Sequence, residues 1–219
     1  MAQYFSPKIV TDGIVSYHDF LNVKCYPRSG TTSRDLVGSN TTTFSGPLYT
    51  DGYVNFDGID DFIVYGSVAL GNTFTISTFA KQNVSSGDFI LFGLDANGAD
   101  NWYAINGGKQ YVFVTQFADV NNFAVAGTQT LTANVWYGLT LTVNVSTVRA
   151  YVNGALDLST TTPFTIGGWT SSYSALGRRG SIAQRYLNGS IGNIMMYNRA
   201  LSDNEILQNF NALRGRYNI

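Results

Sequence analysis

Apolar residues recur at every second position in short runs, and Gly, Asn and Asp interrupt the runs. That period is the mark of half-buried strands. It predicts strands at Ile14–His18, Tyr53–Phe56, Phe62–Tyr65, Phe74–Phe79, Phe89–Leu94, Trp102–Asn106, Tyr111–Phe117, Trp136–Val145, Val148–Val152 and Leu187–Tyr197. In Phe74-Thr75-Ile76-Ser77 apolar side chains alternate with hydroxyls, and from Leu139 to Val145 the alternation is unbroken. Each such strand is expected to set one face on a core and the other in water. Asn153-Gly154 is the pair a type I′ hairpin favours, because both central residues take positive φ. With a second turn at Val145-Ser146-Thr147, residues 136–158 read as a three-stranded antiparallel meander. The spacing of the whole set predicts an all-β, two-sheet antiparallel sandwich.

One segment departs from period two. Ser202 followed by Glu205 has the form of a capping box, and Ile206, Leu207, Phe210 and Leu213 follow at helical spacing. A helix from Asp203 to Leu213 is expected, its apolar stripe on the sandwich, with Arg214 and Arg216 near its end, where the dipole favours cations. Residues 1–10 precede the first strand signal and read as an arm that docks on a neighbour or stays free. Residues 11–219, including helix 203–213, read as one sandwich domain.

Composition narrows the chemistry. Charged residues make up 12% of the 219-residue chain and hydrophobic ones 44%. The core is large enough to need no disulfide or metal, and the net charge of −1 gives no pull toward nucleic acid or an anionic membrane. Residues 1–119 carry 6 basic and 11 acidic side chains and residues 120–219 carry 7 and 3, a division that favours head-to-tail contact between subunits. There is one histidine, His18, one cysteine, Cys25, and one glutamate, Glu205. A zinc finger, a CxxC pair, a disulfide scaffold and a pair of catalytic glutamates are therefore excluded within one chain. No run reaches the length of a membrane span. The N-terminus lacks the apolar stretch of a signal peptide, and one unpaired cysteine fits assembly in a reducing cytoplasm.

Four segments, in order, resemble the laminin-G-like, concanavalin A-like lectin/glucanase superfamily. They are Phe56-Asp57-Gly58-Ile59-Asp60-Asp61-Phe62, Phe74-Thr75-Ile76-Ser77, Val148-Arg149-Ala150-Tyr151-Val152-Asn153-Gly154, and the run from Gly189 to Ser202 with its YNRALS turn. The resemblance implies a jelly-roll sandwich closed by a helix. Ile9–Val15 and Ser29–Gly38 are similar to a leader that precedes this fold in structural proteins of tailed phages.

The resemblance includes glucanases, but those require an E-x-D-x-x-E strand, and retaining hydrolysis needs two carboxyl groups about 5 Å apart. This chain has only Glu205, in the capping box, so no enzyme and no catalytic residue is expected. Asp57, Asp60 and Asp61 are expected to be turn residues bonded to backbone amides. His18 is expected at a surface or strand edge, with Asp19 on the opposite face, and Cys25 as a small buried hydrophobe. Related sandwiches often hold a structural calcium; the family's closing strand commonly supplies an acidic ligand where this chain has Gly192 and Asn193. No cofactor or metal is therefore expected, Asp57 and Asp61 being the best-suited side chains were calcium to bind. Exposed aromatics beside polar groups suit sugar stacking. Asp100, Asn101, Trp102, Tyr103, Trp169, Tyr173, Arg178 and Arg179 have that character and form the candidate ligand set; core or interface packing is the other role open to the aromatics.

The resulting expectation is a non-enzymatic virion protein of a bacteriophage, exposed as a capsid decoration, tail or fibre component. It would be oligomeric or bound to other virion proteins, and adhesive to surface glycans. An independent carbohydrate-binding lectin module is the alternative.

Overall fold

The computed structural model describes residues 7–96, 99–115, 121–171, 173–180 and 184–219. Its strands are β1 (Ile14–Asp19), β2 (Thr32–Arg34), β3 (Thr41–Ser45), β4 (Leu48–Thr50), β5 (Tyr53–Asp57), β6 (Phe62–Val64), β7 (Val68–Leu70), β8 (Thr73–Gln82), β9 (Asp88–Ala96), β10 (Ala99–Asn106), β11 (Lys109–Thr115), β12 (Asn122–Ala126), β13 (Tyr137–Asn144), β14 (Thr147–Val152), β15 (Ala155–Thr161), β16 (Trp169–Ser171), β17 (Tyr173–Leu176) and β18 (Asn188–Tyr197). One helix, α1 (Asp203–Leu213), follows.

Two antiparallel sheets face each other. The first runs β15-β14-β13-β8-β18-β5-β4, with β1 also on β18; the second runs β12-β11-β10-β9-β17-β6-β3-β2. β7 and β16 pair as a short separate ribbon. Between the sheets lie the inward residues of each alternation, among them Phe74, Ile76, Leu139, Leu141 and Val143 from the first sheet and Phe92, Leu94, Tyr103, Ile105 and Val112 from the second.

The first sheet is not wet on its other side. β8 and β18 are buried along nearly their whole length. A second core of Phe79, Tyr151, Met195, Tyr197, Leu201, Ile206, Leu213 and Tyr217 fills the space beneath α1. The expectation of one watered face fails here because the helix and the N-terminal segment add a third layer. The hydroxyls on that face bond one another or the backbone instead of water: Ser77 Oγ lies 2.8 Å from Thr140 Oγ1, and Thr75 Oγ1 donates to the Arg199 carbonyl at 2.9 Å.

The local signals are realised. Asn153 and Gly154 both take positive φ, 51° and 80°, and β13, β14 and β15 form the meander. Ser202 caps α1 and Glu205 closes the capping box. Of the expected stripe, Ile206 and Leu213 are buried, while Leu207 is exposed. Arg216 turns from the helix end to Asp19, donating to both carboxylate oxygens at 2.7 and 2.9 Å. Of the expected arm, residues 7–10 lie on the chain's own helix: Val10 N donates to Asn209 Oδ1 at 2.7 Å and Gln208 Nε2 to the Lys8 carbonyl at 2.7 Å. Residues 1–6 and Phe117 lie outside the described residues.

Candidate functional site

The hairpin β10–β11 turns on Gly107-Gly108, both at positive φ. Counting back from that turn pairs Trp102 with Phe113 and Ala104 with Tyr111. Tyr103, Ile105, Val112 and Val114 then face the core, so Trp102, Tyr111 and Phe113 share the outer face of the second sheet. The Trp102 ring lies 5.1 Å from Tyr111 and 5.0 Å from Phe113, at 19° and 7°. The three rings stack, Tyr111 and Phe113 each overlapping Trp102, and together they form an aromatic ledge on this face. Arg185 lies over Trp102 at 4.9 Å, and its guanidinium is 3.7 Å from Asp88.

Beside the ledge the sheet thins at Gly93, which pairs with Trp102 on one side and Ala175 on the other. A Cβ at Gly93 would sit 2.5 Å from the Arg178 carbonyl and the Gly180 nitrogen, so glycine is what lets the 178–180 loop lie on the face. Arg178 packs on Phe62 at 3.7 Å and donates to the Tyr173 hydroxyl. Arginine and aromatic side chains thus continue along the face from β11 to β6.

Seven of the eight candidate residues separate into two groups. Trp102, Tyr173, Arg178 and Arg179 gather on this outer face or the loop over it. Trp102 is 4% exposed, covered by Tyr111, Phe113 and Arg185. Tyr103 and Trp169 fill the core, where no ring face meets solvent, and Asn101 is buried. Asp100 belongs to β10 and pairs with Asp95, and its side chain lies outside the described residues. Tyr111, Phe113, Phe62 and Arg185 complete the face and were not among the candidates. The Gly-Gly turn was the sequence signal that brings Tyr111 and Phe113 to Trp102, since a two-residue hairpin fixes register.

His18 is not at a surface. It is fully buried beside Tyr65, with Nδ1 3.0 Å from Ser33 Oγ and Nε2 3.9 Å from Asp35. β2 and the 35–38 segment close over β1, which is why an apparent edge position is covered. Cys25 is buried as expected, 3.9 Å from His18 Nδ1. Burial pushes the thiol up to about 11 and the imidazole down to about 4, so the pair is not an activated nucleophile. Asp35 is raised by burial but lowered more by hydrogen bonds from Ser16 and the Tyr17, Val37 and Gly38 amides, and it ends below the usual range.

The His18 shift has a pH consequence. Its folded value lies below its unfolded one of 6.5, so the unfolded chain binds the proton first, and stability is lost as pH falls from about 6.5 toward 4. By pH 5 the loss is roughly 2 kcal/mol. Melting curves are expected to be level above pH 7 and to drop by several degrees by pH 5, with His18→Gln showing a flatter profile. A parent profile level down to pH 5 would show that the imidazole is not buried neutral.

The carboxylates of Asp57, Asp61 and Glu205 are engaged in hydrogen bonds. Asp57 Oδ1 accepts the Ile59 and Asp60 amides at 2.8 and 3.3 Å, and Asp61 Oδ2 accepts the Asp57 amide at 2.9 Å. The three carboxylates lie within 4.8 Å of one another. Glu205 takes both terminal nitrogens of Arg199, at 2.6 and 3.0 Å, and the Ser202 amide at 2.8 Å, which hold its carboxyl down to about 2. No helix of the described residues is long and apolar enough to cross a membrane.

The fold has solved counterparts. Trypanosoma rangeli sialidase in complex with sialic acid matches at 16% identity and a TM-score of 0.70, over 97% of this chain and 36% of that one. The chain thus spans about a third of that sialidase's length. Domain 4 of AbnA, a GH43 extracellular arabinanase from Geobacillus stearothermophilus, in complex with arabinotriose, matches at 17% identity and 0.67, over 89% of this chain and 96% of that one. The receptor binding domain of botulinum neurotoxin C/D mosaic serotype matches at 12% identity and 0.71, over 92% and 51%. At these identities the likeness is one of fold. No curated protein matches in sequence. The model of the concanavalin A-like lectin/glucanases superfamily matches residues 48–207, from β4 into α1, and the chain belongs to that superfamily.

Proposed function

We propose that the chain is a non-enzymatic carbohydrate-binding module that binds through the outer face of its second sheet. The observation that carries this reading is the parallel ledge of Tyr111, Trp102 and Phe113 outside the main core. Sugar rings pack their C–H faces on flat aromatic surfaces, and nearby polar groups take their hydroxyls. Tyr111 and Phe113 are half-buried, and Arg185 and Arg178 lie along the same face. The arabinotriose-bound domain, matched over nearly its full length, supports sugar binding by a sandwich of this size. The engagement of Glu205 with Arg199 and the helix cap supports a binding role over a hydrolytic one.

A glycan array followed by calorimetric titration tests this. The parent protein is expected to bind at least one oligosaccharide, and Tyr111→Ala and Phe113→Ala are each expected to weaken it roughly five- to tenfold, the worth of one stacking contact. An array without signal, or binding untouched by both substitutions, overturns the reading.

We further propose that the module is displayed on the outside of a bacteriophage particle, as a decoration, tail or fibre component assembled in the host cytoplasm. Support comes from the leader-like Ile9–Val15 and Ser29–Gly38 segments and from a surface poor in charge, which lowers the desolvation cost of subunit contacts. Immunogold labelling of purified particles is expected to decorate their exterior. Unlabelled particles would remove this placement and leave the sugar site standing.

A further inference from the structure

A sheet edge presents unpaired N–H and C=O groups, and folded proteins shorten, cover or charge such edges. Among the described residues the edges of this sandwich follow that rule with one exception. β2 and β4 are three residues long, as are both strands of the β7–β16 ribbon. β1 is covered: Leu36 N donates to the Tyr17 carbonyl and Tyr17 N to Asp35 Oδ1, both at 2.9 Å. β15 carries Asp157, whose carboxylate accepts the Thr128 and Gln129 amides at 3.0 and 2.8 Å, so the loop after β12 lies across it.

β12 has none of these devices. Asn122-Phe123-Ala124-Val125-Ala126 holds no charge and no proline, and its register with β11 is unbroken. Asn122, Ala124 and Ala126 are exposed, and Phe123 and Val125 are half-buried. Gly127 N donates to the Gln110 carbonyl at 2.8 Å. In an antiparallel ladder the bonded pairs alternate, so Val125 and Phe123 bond to β11, while Asn122, Ala124 and Ala126 turn their backbone groups outward.

We infer that β12 pairs antiparallel with β12 of a second copy, about a two-fold axis through Ala124. The strand is self-complementary in that register. Ala124 meets Ala124, Asn122 meets Ala126, and Phe123 meets Val125, an aromatic and β-branched cross-strand pair that completes the burial of both. A two-fold axis opposes like with like near its centre, so a charged edge would repel itself; this one carries no charge to do so. An unrelated partner strand gains nothing from that symmetry. Independently of what the ledge binds, Phe113 pairs with Ala124, and the two ledges then share one continuous face, with the Phe113 strands roughly 14 Å apart across three strand spacings.

Light scattering on the full chain at tens of micromolar tests this, together with Ala124→Pro and Ala124→Lys. The proline deletes an outward donor without touching the β11 ladder, and the lysine sets two charges on the axis. The parent is expected to be a dimer and both variants monomers that melt within a few degrees of it. Hydrogen exchange at the Ala124 and Ala126 amides is expected to be at least tenfold slower in the parent than in Ala124→Lys. A monomeric parent, a dimer that survives both variants, or fast exchange at these amides in the dimer overturns the inference. If Ala124→Pro fails to fold, Ala124→Lys decides alone.

Discussion

Trp169→Ala is expected to lower the melting temperature by on the order of 10 °C, and to leave Trp169→Phe close to the parent. Trp169 is fully buried and stands where the sheets meet. Its ring centroid lies 4.9 Å from Phe74 of β8 in the first sheet and 6.4 Å from Phe92 of β9 in the second. β16, which carries it, pairs with the three-residue β7, and the indole joins Val68 and Leu70 of β7 in anchoring that ribbon to the core. Truncation to alanine removes the buried area and leaves a cavity that two rigid sheets cannot close, a cost of about 3–5 kcal/mol. For a chain of this size each kcal/mol moves the transition by roughly 2–4 °C. The indole N–H is buried without an acceptor among the described residues, so phenylalanine also sheds an unpaired donor. Differential scanning calorimetry of the three proteins decides it. If Trp169→Ala melts with the parent, the ring is not a bridge between the sheets, and its sequence-based assignment as a sugar-stacking residue regains force.

The difference between that assignment and the observed role marks what a sequence of this kind conceals. Trp169-Thr170-Ser171 sits among glycines and hydroxyls, the surroundings of an exposed loop, and a three-residue strand is too short to show a period. The same brevity hid β2, β4 and β7. β3, read as Thr41-Thr42-Thr43-Phe44-Ser45, hid for another reason: its inward Thr42 is satisfied by Ser33, Oγ to Oγ1 at 2.5 Å, so a polar residue occupies a core position. The long strands were legible because a face of Leu, Val and Ile against Thr repeats often enough to fix phase. The helix was legible because its cap is local chemistry, with Ser202 and Glu205 answering each other within one turn.

The candidate face was half legible. Trp102, Tyr173 and Arg178 were visible as polar-flanked aromatics and a basic loop, but their neighbours were not. Tyr111–Val114 is apolar at every position, which erases the alternation and hides that Tyr111 and Phe113 point away from the core. Arg185 meets Trp102 only through the tertiary fold. His18 was misplaced because its cover comes from the 33–36 segment, whose Ser33 and Asp35 look like loop residues. In each case the missing information was which second layer covers a face, and that depends on contacts far apart in sequence.

Gly192→Asp, which places an acidic residue where the resemblance in sequence implies one, is expected to destabilise the protein by on the order of 4 kcal/mol. The position is a glycine because of what lies over it. A Cβ there would come within 2.7 Å of Tyr217 Cζ, and closer still to Cε1 and the hydroxyl. Tyr217 has no room to retreat: it stacks on Phe79 at 4.4 Å and packs against Trp136 at 4.9 Å, beneath the end of α1. Overfilling such a site costs about 1–3 kcal/mol. The added carboxylate would then be buried near Asp19, which already takes the guanidinium of Arg216, and an unpaired buried charge costs several kcal/mol more. The strain is expected to release by expelling Tyr217 and the segment after α1, so limited trypsin digestion should cut at Arg214 or Arg216 in the variant well before the parent is cut. Gly192→Ala isolates the steric part. Combined with Tyr217→Ala it should cost less than the two single changes summed, because the smaller residue makes the room the methyl needs. Melting of Gly192→Ala and Gly192→Asp within a degree or two of the parent would show that the third layer does not press on β18 as described, and would reopen the closing strand as a place for an acidic ligand.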